Sequence, residues 1–431
     1  MIRKLLNIRF LILFIVLITL FSSSFAQELE ECTIGVASGK ATTDGRPMIW
    51  KTRDFTSAPN NEIYYNTSGN INFVCVVTAN GSPNSDAWMG INEKGFAILN
   101  SVSSDLPGSS RTGMGNGGFM RHALANCGTV ADFEILLKET DVSGRTTKAN
   151  FAVLDAIGAV AIYETANNQH WKYDANDPKT APDGYLVKTN FAFNGGGKGG
   201  IERFERTTKL VPGYFKKGEL NYKSILRDQM RDFVDKDNNP IELPFKDKWD
   251  EKSPYGYISC NLCICRPSSV SAAVMQGVKP GEDPRLSTLW AMLGQPAMSI
   301  TVPYWPVGPA PEAANGSRTA PLADISNKIK ELLFDHVEMA VDPRTQREAR
   351  TRASRNLIDS FKLRDENGNG LWAEIFPAED KIFEKAEANL ENWRKTGVNT
   401  EDMLKTESLL SSSALSALEK AYENLLRTGK K

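Results

Sequence analysis

The sequence has 431 residues, with 51 lysines and arginines against 52 aspartates and glutamates, for a formal net charge of -1. Hydrophobic residues make up 41%, enough for a substantial core and for two or three domains or one large domain with an appendage. The balance leaves no basic footprint for nucleic acid and no polybasic stretch for an anionic membrane, so a small-molecule partner fits better than a polyanion.

The chain opens with Arg3, Lys4 and Arg9, followed by an almost wholly apolar run from Phe10 to Phe21. Ser24 and Ala26 then set small residues before Gln27, as a signal cleavage site requires. The run is short for a membrane span. Residues 1–26 are therefore expected to be an export signal and 27–31 a short acidic propeptide. The mature protein is expected to be periplasmic or extracellular, with no stable membrane anchor.

From Cys32 the pattern is mainly β. Thr33–Thr42 and Pro47–Phe55 predict two strands joined at Asp44-Gly45. Ile71–Thr78 predicts a third, and Ala87–Ser101 two more turning at Asn92–Gly95. Gly117–Cys127 and Val130–Glu139 predict amphipathic helices. Phe151–Asp155 and Val160–Glu164 form another hairpin, and Tyr185–Phe193 a further strand. Ile201–Val234 predicts helix interrupted at Pro212-Gly213. Ile258–Gly277 and Met298–Val302 return to β. Strands in adjacent hairpins, with helices inserted in pairs, argue for antiparallel sheets covered by helices, an α+β fold. Asp324–Ala340, Arg347–Lys362, Ala378–Lys395 and Thr400–Arg427 carry helix-period apolar positions. Residues 32–320 are thus expected to form the main domain. Residues 321–431 form a helical layer or subdomain, packed on the core or on another copy of the chain as a homo-oligomer.

Cys32 lies just past the predicted signal. Loss of Gln27–Glu31 would give it both a thiol and an α-amine. An α-amine has a pKa near about 7.7–8.0, so much of it is neutral at physiological pH. It can take the thiol proton and return it to a leaving amine, with no histidine needed. The chain has only His122, His170 and His336, all in ordinary structural or surface contexts. With Cys32 reserved as nucleophile, five cysteines remain, an odd number for a disulfide framework.

Cys32-Thr33-Ile34-Gly35, Thr42-Thr43-Asp44-Gly45 and Lys51-Thr52-Arg53-Asp54 resemble the start of the cysteine N-terminal-nucleophile hydrolases. This branch includes choloylglycine hydrolases, penicillin V acylases and isopenicillin N acyltransferase-like proteins. Gly90–Gly95 with Leu99-Asn100, then Thr189-Asn190, then Arg203-Phe204-Glu205-Arg206, extend the resemblance in order. It implies a four-layer αββα sandwich acting on a small-molecule linear amide, with no cofactor and no metal.

In this scheme Asp54, at the end of the second strand, orients the α-amine. Asn100, following a strand, donates to the oxyanion. Asn190 orients substrate or the intermediate. Arg203 places positive charge near the thiol. Relatives carry an arginine three residues before the aspartate, where this chain has Lys51. Strand alternation turns Arg53 away from a pocket that Asp54 enters, and Lys51 faces with Arg53. Lys51 is therefore the better candidate for site support and Arg53 the weaker. The same nucleophile also serves acyl transfer to an amine, or a dipeptidase of the same branch. A non-catalytic exported binding protein on this fold is the alternative of a different class.

Cys260, Cys263 and Cys265 have knuckle-like spacing but no fourth ligand nearby, so buried thiols on a strand fit better than zinc. The run Gly195–Gly200 lacks a phosphate-loop ending and reads as a mobile loop near the pocket. Trp88, Trp290 and Trp305 are candidates to line an acyl site.

Overall fold

The computed structural model describes residues 31–428 apart from 56–57, 80–81, 83–84, 252, 317, 335–338, 342–347 and 351–356. The predicted signal and residues 27–30 lie outside the described residues, as does His336. Strands β1 (Glu31–Ala37) and β2 (Met48–Asp54) form the first hairpin. Trp50 lies directly across from Gly35, and a side chain at Gly35 would meet its ring at 2.1 Å. A glycine there is what lets the indole cross the hairpin.

Next come β3 (Asn61–Asn66), β4 (Phe73–Thr78), β5 (Ala87–Asn92) and β6 (Ala97–Val102). Helices α1 (Asn116–Asn126) and α2 (Val130–Ser143) follow; Thr129 and Asp132 close a capping box at the start of α2. Strands β7 (Ala149–Leu154), β8 (Val160–Thr165), β9 (His170–Asp174) and β10 (Tyr185–Lys188) lead into α3 (Ile201–Lys217) and α4 (Tyr222–Arg227). Then come β11 (Tyr257–Ser259), β12 (Ser269–Gln276), β13 (Thr288–Leu293) and β14 (Val302–Tyr304). The last part holds α5 (Pro321–Phe334), β15 (Met339–Val341), β16 (Glu348–Arg350), β17 (Leu357–Asp359), α6 (Ser360–Leu363), α7 (Leu371–Thr396) and α8 (Thr400–Thr428).

Two antiparallel sheets dominate, ordered β10-β1-β2-β12-β13-β14 and β3-β4-β5-β6-β7-β8-β9. Ile34 and Val36 of the first share one core with Val74, Ile91 and Leu99 of the second, so the sheets pack face to face. Phe119 and Phe133 of α1 and α2 cover the outer face of the seven-stranded sheet, meeting Phe151 and Tyr163. The remaining long helices cover the six-stranded sheet from the other side. The result is the αββα layering of an α+β fold. With both faces covered, strands such as β4 and β12 read as continuous apolar or small-residue runs rather than as alternation.

The C-terminal helices are part of that outer layer. Trp393 of α7 meets Trp305 edge-on at 4.9 Å, and Tyr222 stacks between this helix layer and Trp290. Among the described residues no helix is long and apolar enough to cross a membrane.

Several elements differ from the sequence reading. β3, β9 and β13 were not expected, because their polar or mixed residues acquire strand form only by pairing with neighbours. Helix α3 runs unbroken through Pro212, with left-handed Gly200 and Gly218 as its caps; the lost N–H costs one rung while Arg203, Thr207 and Val211 stay buried along one face. The strand expected over 258–277 is split, ending at Ser259 and resuming at Ser269. The helix expected over Arg347–Lys362 is instead β16, β17 and the short α6 where it is described.

Candidate active site

Register fixes what surrounds Cys32. In the β1–β2 ladder Cys32 lies opposite Arg53, Ile34 opposite Lys51, and Glu31 opposite Asp54. Residues directly opposite in an antiparallel pair share a face. Cys32, Arg53 and Lys51 therefore point the same way, toward the seven-stranded sheet. Arg53 bonds Asn61 Oδ1 of β3 at 3.0 Å and stacks over Trp88 of β5 at 4.4 Å. All three side chains are buried. Two basic side chains thus share the thiol's own face.

This overturns the expectation that Arg53 turns away from the site. Lys51 and Arg53 do share a face, but it is the thiol face, and Asp54 is the residue that points away. The cause is the pairing of Cys32 with Arg53, which places Asp54 beside the preceding residue.

The β10 edge of the strand handles the backbone of Cys32. The Cys32 N–H donates to Asn190 Oδ1 at 2.8 Å, and the Cys32 carbonyl accepts from Arg203 at 2.6 Å. Arg203 also donates to Thr33 Oγ1 at 3.0 Å and to Asn190 Oδ1 at 2.9 Å, and lies 3.9 Å from Asp54. Asn190 Nδ2 donates to the Val102 carbonyl at the end of β6 at 3.0 Å, tying the nucleophile's strand to the other sheet. In this arrangement Asn190 holds the Cys32 nitrogen. Arg203 grips the Cys32 backbone from the α3 side.

Asp54 is 2% exposed and accepts from Ser269 Oγ at 2.6 Å, across the bulge that opens β12. Its Oδ2 has no hydrogen-bond partner among the described residues. Burial raises its pKa to about 6, against the lowering pull of Arg203, Ser269 and Lys51. Nearby Lys330 of α5 is pushed by burial down to about 8. Beside them Arg266 pairs with the carboxylate of Glu31 and lies 4.0 Å from Asp54.

Asn100 stands inside β6, not after it. Its opposite neighbour Phe151 packs outward on α1 and α2. The β5–β6 ladder ends at Met89–Leu99, and Lys51 Nζ enters just beyond. It bonds Asn100 Oδ1 at 2.8 Å and the Trp88 carbonyl at 3.4 Å. Asn100 Nδ2 is buried with no hydrogen-bond partner among the described residues. The link from Cys32 to Asn100 thus runs through the lysine, which fixes the amide with its donor end unused.

Residues 41–239 match the model of the acyl-coenzyme A:6-aminopenicillanic acid acyl-transferase family. That span is just under half of the chain. The span carries Lys51, Arg53, Asp54, Asn100, Asn190 and Arg203, and begins after Cys32. The likeness to cysteine N-terminal-nucleophile hydrolases is therefore borne out at the level of family. No curated protein matches the sequence.

Solved structures similar to the chain include a conjugated bile acid hydrolase mutant from Clostridium perfringens, at 14% identity and TM-score 0.36, covering 61% of this chain and 89% of that one. Penicillin V acylase from Agrobacterium tumefaciens matches at 13% identity and TM-score 0.35, covering 64% and 85%. A Caenorhabditis elegans ortholog of N-acylethanolamine-hydrolyzing acid amidase matches at 13% and 0.34, covering 57% and 92%.

Within the family span the glycine-rich run is anchored, not loose. Asp105 Oδ2 accepts from the N–H groups of Ala192 and Gly197, and the Gly199 carbonyl accepts from Asn190 N and Thr189 Oγ1. Gly200, at φ 68°, sits where a side chain would meet the Arg203 guanidinium at 2.3 Å. Those glycines make room for the two groups that grip Cys32.

Other candidates fall elsewhere. His122 is exposed on α1, and His170 pairs with Asp141 at 2.7 Å on the far side of the seven-stranded sheet. Cys260, Cys263 and Cys265 are buried thiols in the turn after β11. Trp290 and Trp305 are core residues, and only Trp88 borders the Cys32 face. Sequence reasoning missed Arg266, Ser269 and Lys330. No signal in the sequence pointed to them.

Proposed function

We propose that the chain is an exported, self-processed cysteine amidohydrolase that cleaves a linear, non-peptide C–N amide through an acyl-thioester on Cys32. One observation carries this reading: the backbone N–H and carbonyl of Cys32 are gripped along the β10 edge of its strand by Asn190 and Arg203, while its side chain shares a face with Arg53 and Lys51. A residue held that way keeps its position when the peptide bond before it is cut.

In the first turnover the Cys32 thiolate attacks the Glu31 carbonyl. The Glu31–Cys32 C–N bond breaks, and the nitrogen takes up the thiol proton as the acyl group moves to sulfur. Water then cleaves the thioester, releasing the leader as a carboxylic acid and restoring the thiol. The freed α-amine lies next to Asp54, because Glu31 pairs with Asp54. In later turnovers that amine takes the thiol proton, the thiolate attacks the substrate carbonyl, and the proton passes to the leaving amine. Water hydrolyses the acyl-thioester. The unused Nδ2 of Asn100 and a backbone N–H meet the oxyanion.

Intact mass and N-terminal sequencing test the reading. Wild type is expected to start at Cys32, and Cys32→Ala to keep Gln27 as its first residue and lose all amidase activity. Active wild-type protein that starts stably at Gln27 overturns the mechanism. The family's acyl-transferase description favours one second reading, transfer of the acyl group to an amine. Product analysis with and without an amine acceptor separates it from hydrolysis.

A further inference from the structure

The unprocessed chain contains its own bound acyl donor. If Cys32 attacks the Glu31 carbonyl, then whatever holds Glu31 is an acyl-side subsite. The Glu31 side chain is held by two arginines: Arg266 pairs with its carboxylate, and Arg203 Nη2 approaches it at 3.5 Å. Arg203 is 2% exposed, and the Arg266 side chain is one-fifth exposed. Arg266 Nε is buried with no hydrogen-bond partner, and Asp54, at 4.0 Å, is the other carboxylate that Arg266 approaches.

Departure of the leader removes the Glu31 carboxylate and leaves the arginine pair facing the acyl side of the catalytic cysteine. Among the described residues Asp54 is then the carboxylate left within 4.0 Å of both, so two guanidiniums share one anion and the site favours a second. The reacting carbonyl of a glutamyl residue and its side-chain carboxylate are spaced as in a glutaryl group.

We infer that Arg266, with Arg203, forms a carboxylate subsite for the acyl half of the substrate, and that the preferred substrates are amides of dicarboxylic or acidic amino-acid acyl groups of about glutaryl length. This rests on the amidohydrolase reading above and adds a substrate class to it. Arg203 has structural duties at Cys32, so the specificity resides in Arg266.

The test compares glutaryl-p-nitroanilide with pentanoyl-p-nitroanilide, which matches it in length and lacks the charge, on the mature full-length enzyme. Charged hydrogen bonds of this kind predict a kcat/KM ratio of about tenfold to a hundredfold in favour of glutaryl. Arg266→Gln is expected to bring that ratio near unity, and Arg266→Lys to keep part of it. Because a ratio within one enzyme is read, partial misfolding of a variant does not change the outcome. A wild-type enzyme that cleaves pentanoyl as well as or better than glutaryl overturns the subsite and leaves the hydrolase reading standing. So does a glutaryl preference that survives unchanged in Arg266→Gln. Turnover of neither anilide by protein starting at Cys32 overturns both.

Discussion

Two buried charged clusters flank the six-stranded sheet, and they differ in how completely their valences are used. Around Glu379 of α7 they are well used. Its carboxylate accepts from Arg231 at 2.8 and 2.9 Å, from Arg227 at 2.9 Å and from the Thr301 N–H at 2.8 Å. Arg231 spends its remaining donors on the Pro296 and Ser299 carbonyls. Around Cys32 they are not. Asp54 Oδ2 and Asn100 Nδ2 are buried without hydrogen-bond partners. The carboxyls record the contrast: Arg231 and Arg227 hold Glu379 down to about 2 against its burial, whereas burial lifts Asp54 to about 6. Buried charge alone does not mark a site. What distinguishes the Cys32 cluster is that its unpaired atoms lie among the candidate site residues, where they stay available to a reacting group.

The strongest way to break this comparison is Glu379→Gln. It strands two arginines in the helix layer and is expected to cost about 3–5 kcal/mol of stability. Urea unfolding measures it, and activity per folded molecule should be unchanged. A variant as stable as wild type would remove the structural role.

Asn100→Ala comes next. Loss of an oxyanion donor should lower kcat by about 10²–10³, roughly 2.7–4 kcal/mol of barrier, with KM little altered. A kcat within a few-fold of wild type would remove Asn100 from the chemistry.

Asp54→Asn sharpens the contrast by pH. Asp54 has its folded pKa raised, so its ionised form is the costly one, and the unprocessed chain loses stability as pH rises from about 4 toward 6. In unprocessed Cys32→Ala protein, Asp54→Asn is therefore expected to stabilise by about 1–3 kcal/mol at pH 8 and not at all near pH 4. Glu379 has the opposite sign: its stabilisation is present above about 4.5 and is lost as pH falls toward 2. Paired denaturation curves read both.

The smallest effect is expected for Lys51→Met. Releasing the Asn100 amide should cost about tenfold in kcat, the worth of one hydrogen bond from a charged donor. Lys51→Arg should recover part of it.

Much of this was legible from local chemistry. A thiol a few residues past a signal pattern, a hairpin ending in Asp54, and Asn100, Asn190 and Arg203 in family order named most of the groups around Cys32. Strand alternation also put Lys51 and Arg53 on one face. It could not say which face holds the thiol, because that depends on register across the hairpin, and register is set by how both sheets pack. Asn100 looked like a loop donor because its run ends in polar residues; pairing with β7 made it a strand residue. Arg266, Ser269 and Lys330 carried no signal at all, since only the folding of β12 and α5 against β2 brings them to Asp54.

The linear chain thus determined the candidate nucleophile, the order of the residues proposed to assist it and the alternation of side chains, because these depend on neighbours a few bonds apart. The tertiary structure alone decided which face each group occupies, which polar atoms go unsatisfied, and which distant arginine meets Glu31. Those outcomes come from contacts between segments more than two hundred residues apart, as between Asp54 and Ser269.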